Sequence, residues 1–141
     1  HAELKKYNIL VTTVVPNLVN TGSPRNIDVK GNHEAEYAFF KSADASPLLS
    51  QSAETAAKSI IDALEQGESE AILSATAKAA MILQGFAPGW MNLLMSLANK
   101  FLPDAVPGGH ITKKGYESES AASLGKLGKA SDREALKNNE L

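Results

Sequence analysis

Tyr37 and Lys41 stand four residues apart in the stretch HEAEYAFFKS. On a helix that spacing puts a phenol and an ammonium on one face, and a phenol beside a cation is a group that could move a proton. The other residue types that carry chemistry are scattered. His1, His33 and His110 lack ligand spacing, so no metal site is expected. Asp28, Glu34, Glu36 and Asp44 read as solvated loop charges rather than paired acids. Cysteine is absent, which excludes a disulfide framework and thiolate metal centres and fits a reducing compartment. No G-x-G-x-x-G turn is present. The lysines at 113–114 and within 126–129 form small clusters that read as solvated surface.

The elements that must hold these residues can be read from the pattern. The chain has 141 residues, 43% apolar, with 14 basic and 16 acidic side chains. That is one domain by length, with a charge too nearly balanced to suggest nucleic acid. HAELKK reads as the last turn of a helix already under way, so the chain is expected to be a piece of a longer protein. ILVTTVV then forms a β-branched run too continuous for a half-exposed antiparallel strand. It predicts a strand buried on both faces, as in a parallel α/β sheet, and Pro16 stops it. Residues 20–52 are loop-rich and enclose a short helix at about 33–42, the expected substrate lid. Ser52 is a good N-cap for an amphipathic helix over 53–66, and Gly67 ends it. EAILS, residues 70–74, predicts a short strand that completes a βαβ-type unit. Two apolar helices, 76–86 and 90–101, flank Pro88-Gly89. From Pro107 onward the chain is rich in glycine, serine and alternating charge and reads as a flexible polar tail with a short helix near 132–137.

The apolar stretch 81–103 is interrupted by Gln84, Pro88, Gly89, Asn92, Asn99 and Lys100, short of the roughly 18–20 apolar residues a span requires. Phe86, Trp90, Leu93, Leu94 and Leu97 can still share one stripe. The leading reading of that stripe is a core or subunit contact, and the alternative is a peripheral contact with a membrane surface. No secretory signal is visible, and the expected location is cytoplasmic, with membrane association as the variant that the stripe allows.

The order of HAELKKY, NILVTTVVP, the turn PNLVNT, a variable loop, SAETAAKSIIDAL and EAILS resembles the short-chain dehydrogenase/reductase family. The resemblance covers about residues 2–74 and is looser beyond Ala75. It implies the C-terminal portion of a Rossmann-type sheet (two strands with flanking helices), followed by an apolar helical extension at 75–106 and the polar tail at 107–141. It also implies NAD or NADP as cofactor and hydride transfer between it and an alcohol or carbonyl substrate. The main chain at Val19 would bond the nicotinamide carboxamide, the Thr21 hydroxyl would touch the same end, and Pro16 and Leu18 would wall the pocket. Asn17 departs from the family's usual glycine, which puts the local turn geometry in question.

In the family a tyrosine and lysine pair, with the lysine lowering the tyrosine pKa, lies on the helix before the strand that here ends at Pro16. Tyr37 and Lys41 come after it, so the expectation is a lid helix. Tyr37 and Phe40 would line an apolar substrate pocket, and no catalytic residue is assigned within the chain. The family's catalytic set would precede His1, and the chain alone is expected to be inactive and prone to associate, as an intact member would be a homo-oligomer. The competing reading is a non-enzymatic helical interaction or membrane-surface module.

Overall fold

A computed structural model of the chain describes residues 2–107 and 109–140. Helix α1 (Ala2–Lys5) ends in a turn closed by Tyr7 and Asn8 amides on the Leu4 and Lys5 carbonyls. Asn8 takes a positive φ of 56° there, a geometry asparagine tolerates better than most residues. Strand β1 (Thr13–Val15) follows and pairs in parallel with β5 (Glu70–Ile72), Thr13 opposite Glu70 and Val15 opposite Ile72. The ladder is shorter than the β-branched run because β5 offers only three residues. Ile9 and Leu10, at the start of the run, are 48% and 62% exposed. Thr13 is exposed and Val14 and Val15 are half-buried, so burial on both faces is not realised.

Helix α4 (Ala53–Glu65) joins the two halves of this unit. Ser52 Oγ accepts from the Thr55 amide at 3.2 Å, capping the first turn, and Gly67, with φ of 67°, lets the chain leave the last. Ala56 and Ala63 are its buried face, against β4, β5 and β2.

Two strand pairs were not legible beforehand. β2 (Leu18–Asn20) runs parallel to β4 (Ser50–Ser52), with Val19 opposite Gln51. β3 (Asp28–Lys30) runs antiparallel to β6 (Thr112–Lys114). Between them lie the one-turn helix α2 (Ser23–Asn26) and the lid helix α3 (His33–Asp44). Asn32 caps α3 by accepting from the Ala35 amide.

The reading of residues 107–141 as a flexible tail is corrected over most of its length. β6 docks on β3, a 3-10 turn (Gly115–Ser118) packs on α2 and α3, and helix α7 (Lys126–Lys137) lies along α3. Ser118, Ser123, Gly128, Ser131 and Ala135 are buried. The physical reason is size. A Cβ on Gly128 would collide with the Ser123 carbonyl, and one on Gly115 with the Pro24 carbonyl, so small residues are what allow the segments to close on one another. A composition that mimics disorder here serves close approach. By contrast, the apolar helices α5 (Ala75–Phe86) and α6 (Pro88–Ala98), joined at Ala87 and followed by a 3-10 turn (Asn99–Phe101), bury no residue fully.

Candidate functional site

The turn 16–21 leaves the carboxyl end of β1 and enters β2. Its geometry is fixed by Asn17, whose Nδ2 donates to the Leu49 carbonyl at 2.9 Å and to Thr76 Oγ1 at 3.2 Å. Thr76 Oγ1 in turn lies 3.2 Å from Ser74 Oγ, the cap of α5. One amide side chain therefore ties the ends of β1 and β5 to the loop before β4. Asn17 is not among the positive-φ residues, so the turn does not need the glycine that the resemblance led one to expect. The side chain is occupied on the side of Leu49 and Thr76.

Pro16 is exposed, and Asn17, Leu18, Val19 and Thr21 are half-buried. Among the described residues β2 is paired on one edge only. The other edge has no strand partner among them, although the adjoining Thr21 amide is bonded by Asp44. Thr21 Oγ1 accepts from the Ser23 amide at 3.1 Å and lies 2.7 Å from Ser23 Oγ. A hydroxyl has one donor and two acceptor positions, so this turn leaves it capacity for a further bond. The structure thus brings the five turn residues onto one short connection.

Tyr37 and Lys41 do share a face of α3, and both are 0% exposed. Lys41 Nζ sits 5.4 Å from the Tyr37 ring centre, 2.7 Å from Asp132 Oδ1 and 3.6 Å from Glu119 Oε1. Arg25 completes the cluster, 3.5 Å from Glu119 and 3.9 Å from Asp132. Burial pushes the Tyr37 phenol above its ordinary pKa, against the pull of Lys41. Burial draws Lys41 downward, but Asp132, Tyr37 and Glu119 outweigh it, and its pKa is raised. An unactivated phenol and a firmly charged ammonium are the reverse of a proton-transfer pair. The two residues lock α3 beneath α7, and a substrate would reach Tyr37 only after the C-terminal segments moved.

Phe40 is half-buried and lines an open cleft of about 290 Å³ with Ile27, Val29, Lys30 and Glu36. A second cleft, of about 190 Å³, carries Asn20, Ser50 and Gln51 from the β2–β4 pair. Asn20 Oδ1, Ser50 Oγ and Gln51 Nε2 are each buried without a hydrogen-bond partner among the described residues. The sequence reading missed these three polar groups, because their common cleft depends on a three-residue strand pair that carries no periodic signal.

Asp44, at the end of α3, is 3% exposed. Burial raises its pKa to about 6, against the Thr21 amide that bonds it and with help from the nearby Glu140. It connects the turn to the C-terminal residues, since Glu140 also packs on Gly22. Among the described residues no group of His, Cys, Asp and Glu is arranged to hold a metal ion. His1 lies outside them.

Set against known proteins, the chain matches no family model, no curated protein and no solved structure.

Proposed function

We propose that residues 2–74 are the C-terminal part of an NAD(P)-dependent short-chain dehydrogenase/reductase domain. In this reading the turn of Pro16, Asn17, Leu18, Val19 and Thr21 positions the nicotinamide end of the cofactor. The observation that carries the reading is the parallel β1–β5 pair with the PNLVNT turn at its carboxyl end. In open α/β sheets that is where ligands bind. The residues present fit a carboxamide. One edge of β2 has no strand partner among the described residues, the Asn17 side chain is held toward Leu49 and Thr76, and the Thr21 hydroxyl keeps hydrogen-bonding capacity.

A bound nicotinamide cofactor would supply hydride transfer to or from an alcohol or carbonyl. What these residues contribute is orientation, because a fixed main-chain pair aligns the ring without any titratable group. Pro16 and Leu18 would wall the nicotinamide pocket of the intact domain. The lid, α3, would place Phe40 beside a small-molecule substrate, in a cleft that also carries the charged side chains of Asp28, Lys30 and Glu36. No residue of the chain is assigned a proton-transfer role.

The test is cofactor binding by the full-length protein, followed by NADH and NADPH fluorescence. Thr21→Val removes one hydrogen bond and is expected to weaken binding about three- to tenfold. Tyr37→Phe is expected to leave binding unchanged. Absence of binding to either cofactor by a folded full-length protein overturns the reading.

A further inference from the structure

We infer that the α5–α6 unit is a docking surface for an anionic phospholipid membrane. Three observations meet there. The first is exposure. Phe86 is 89% exposed, Trp90 66% and Phe101 78%, with Met81, Ile82, Leu93, Leu94 and Leu97 also exposed. Helices that are apolar on every side belong in a core or in lipid. In this fold α6 packs on α5 and on the turn after it, while α5 is joined to the rest of the protein at its start, through β5 and the Asn17–Thr76 hydrogen bond. A patch of this extent is not left to water without use.

The second observation is charge. From Ala71 to Pro103 the chain contains no aspartate or glutamate, and its only charges are Lys78 and Lys100. With 14 basic and 16 acidic residues in all, the rest of the chain carries 12 basic and 16 acidic, a net charge of −4 against +2 here. A cationic apolar surface on an acidic protein is complementary to anionic lipid headgroups. A second copy of the same face would bring no opposite charge to these lysines, since the face carries no acidic residue.

The third is geometry. Lys78 lies near the start of α5 and Lys100 beyond the end of α6, so both charges are remote from the joint at Ala87. The residues beside the joint, Phe86 and Trp90, are the large apolar pair. Between the two lysines no charged side chain intervenes. Ile72, Met81, Ile82, Gly85 and Phe86, with Lys78 at the end nearer the start of α5, line an open and largely apolar groove of about 420 Å³. No helix among the described residues is long and apolar enough to cross a membrane. The arrangement therefore fits insertion at the interface, with the joint immersed and the lysines at headgroup level.

Trp90 is the sole tryptophan of the 141-residue chain and reports on its own surroundings. That 141-residue chain is mixed with phosphatidylcholine vesicles, with and without about 30% phosphatidylglycerol. Expected are co-sedimentation with the anionic vesicles, a blue shift of Trp90 emission, and quenching by brominated acyl chains. Phe86→Asp is expected to lower partitioning about tenfold or more. The pair Lys78→Glu with Lys100→Glu is expected to abolish the preference for anionic vesicles. Both variants should melt as the parent does, since their side chains are exposed.

The inference is overturned if the folded protein stays in the supernatant with unchanged emission, or if both vesicle types bind equally and the lysine variants behave as the parent. It is also overturned if the blue shift appears in lipid-free buffer with rising protein concentration and vesicles do not compete, which would assign the face to self-association. None of these measurements includes a nicotinamide cofactor, so they stand apart from the dehydrogenase reading.

Discussion

Lys41 is a cation with no solvent of its own, and its charge is carried by Asp132 and Glu119. Asp132 keeps about a third of its side-chain surface, 31%. The two ends of this pair should therefore respond differently to mutation. Asp132→Ala leaves a buried ammonium with Glu119 alone and is expected to cost about 3 kcal/mol. Lys41→Met removes the buried charge and leaves carboxylates that can turn to water or to Arg25, with an expected cost of about 1 kcal/mol. Urea unfolding of both variants checks this, and equal losses would show that the pair is not as asymmetric as its burial. Asp44 gives the opposite sign. Its folded pKa, about 6, lies above the ordinary value of 3.8, so between these values the folded state holds more protons than the unfolded. Its contribution is fully present below about pH 4, declines as pH rises toward 6, and remains a fixed penalty above that. Asp44→Asn keeps an acceptor for the Thr21 amide without the buried charge. It is expected to stabilise the protein at pH 7 by about 1–2 kcal/mol and to make no difference near pH 4. Melting curves at the two pH values decide.

At the scale of elements, what could be read in advance were the segments whose own residues carry the signal. Helix α4 announced itself through Ser52, its alanine and isoleucine spacing, and Gly67. Strand β5 followed from EAILS, and α5 and α6 from their division at Pro88-Gly89. The β2–β4 and β3–β6 pairs were not legible, because three residues contain no period and their partners lie far along the chain. Of helix α7 only the second half, near 132–137, was read in advance; the whole is held by small residues and an ion pair, neither of which adds hydrophobicity to a sequence window. The candidate turn at 16–21 was legible through its resemblance, whereas the polar cleft of Asn20, Ser50 and Gln51 required the fold. Two glycines test the packing account. Gly128→Ala forces a Cβ against the Ser123 carbonyl and is expected to cost about 2 kcal/mol or more and to expose the amides of α3 to hydrogen exchange. Gly85→Ala, within α5 and with open space around it, is expected to gain about 0.5–1 kcal/mol from helix propensity alone. Matching effects at the two sites would show that helix propensity, and not close approach, governs Gly128.

For the molecule as a whole, the core is small for its length. Among the described residues the buried apolar side chains are Val29, Tyr37, Pro24 and five alanines, gathered mostly around α3 and α4. The β1 side is bare by comparison. Tyr7, Ile9 and Leu10 are 66%, 48% and 62% exposed, and among the described residues β1 has one neighbour, β5. An open edge flanked by large apolar side chains is a template for pairing with another chain. Each such side chain removed from water gains roughly 1.5–3 kcal/mol. The 141-residue chain is therefore expected to self-associate through β1, with a sedimentation coefficient that rises with concentration. Leu10→Lys places a charge on that edge and should shift the population toward monomer, while Phe86→Asp, on the α5–α6 surface, should leave it unchanged. Because the two exposed surfaces lie on different elements, the pair of variants separates them. A parent chain that stays monomeric at all concentrations and melts in one cooperative step would show that the bare β1 edge is protected by its own short length.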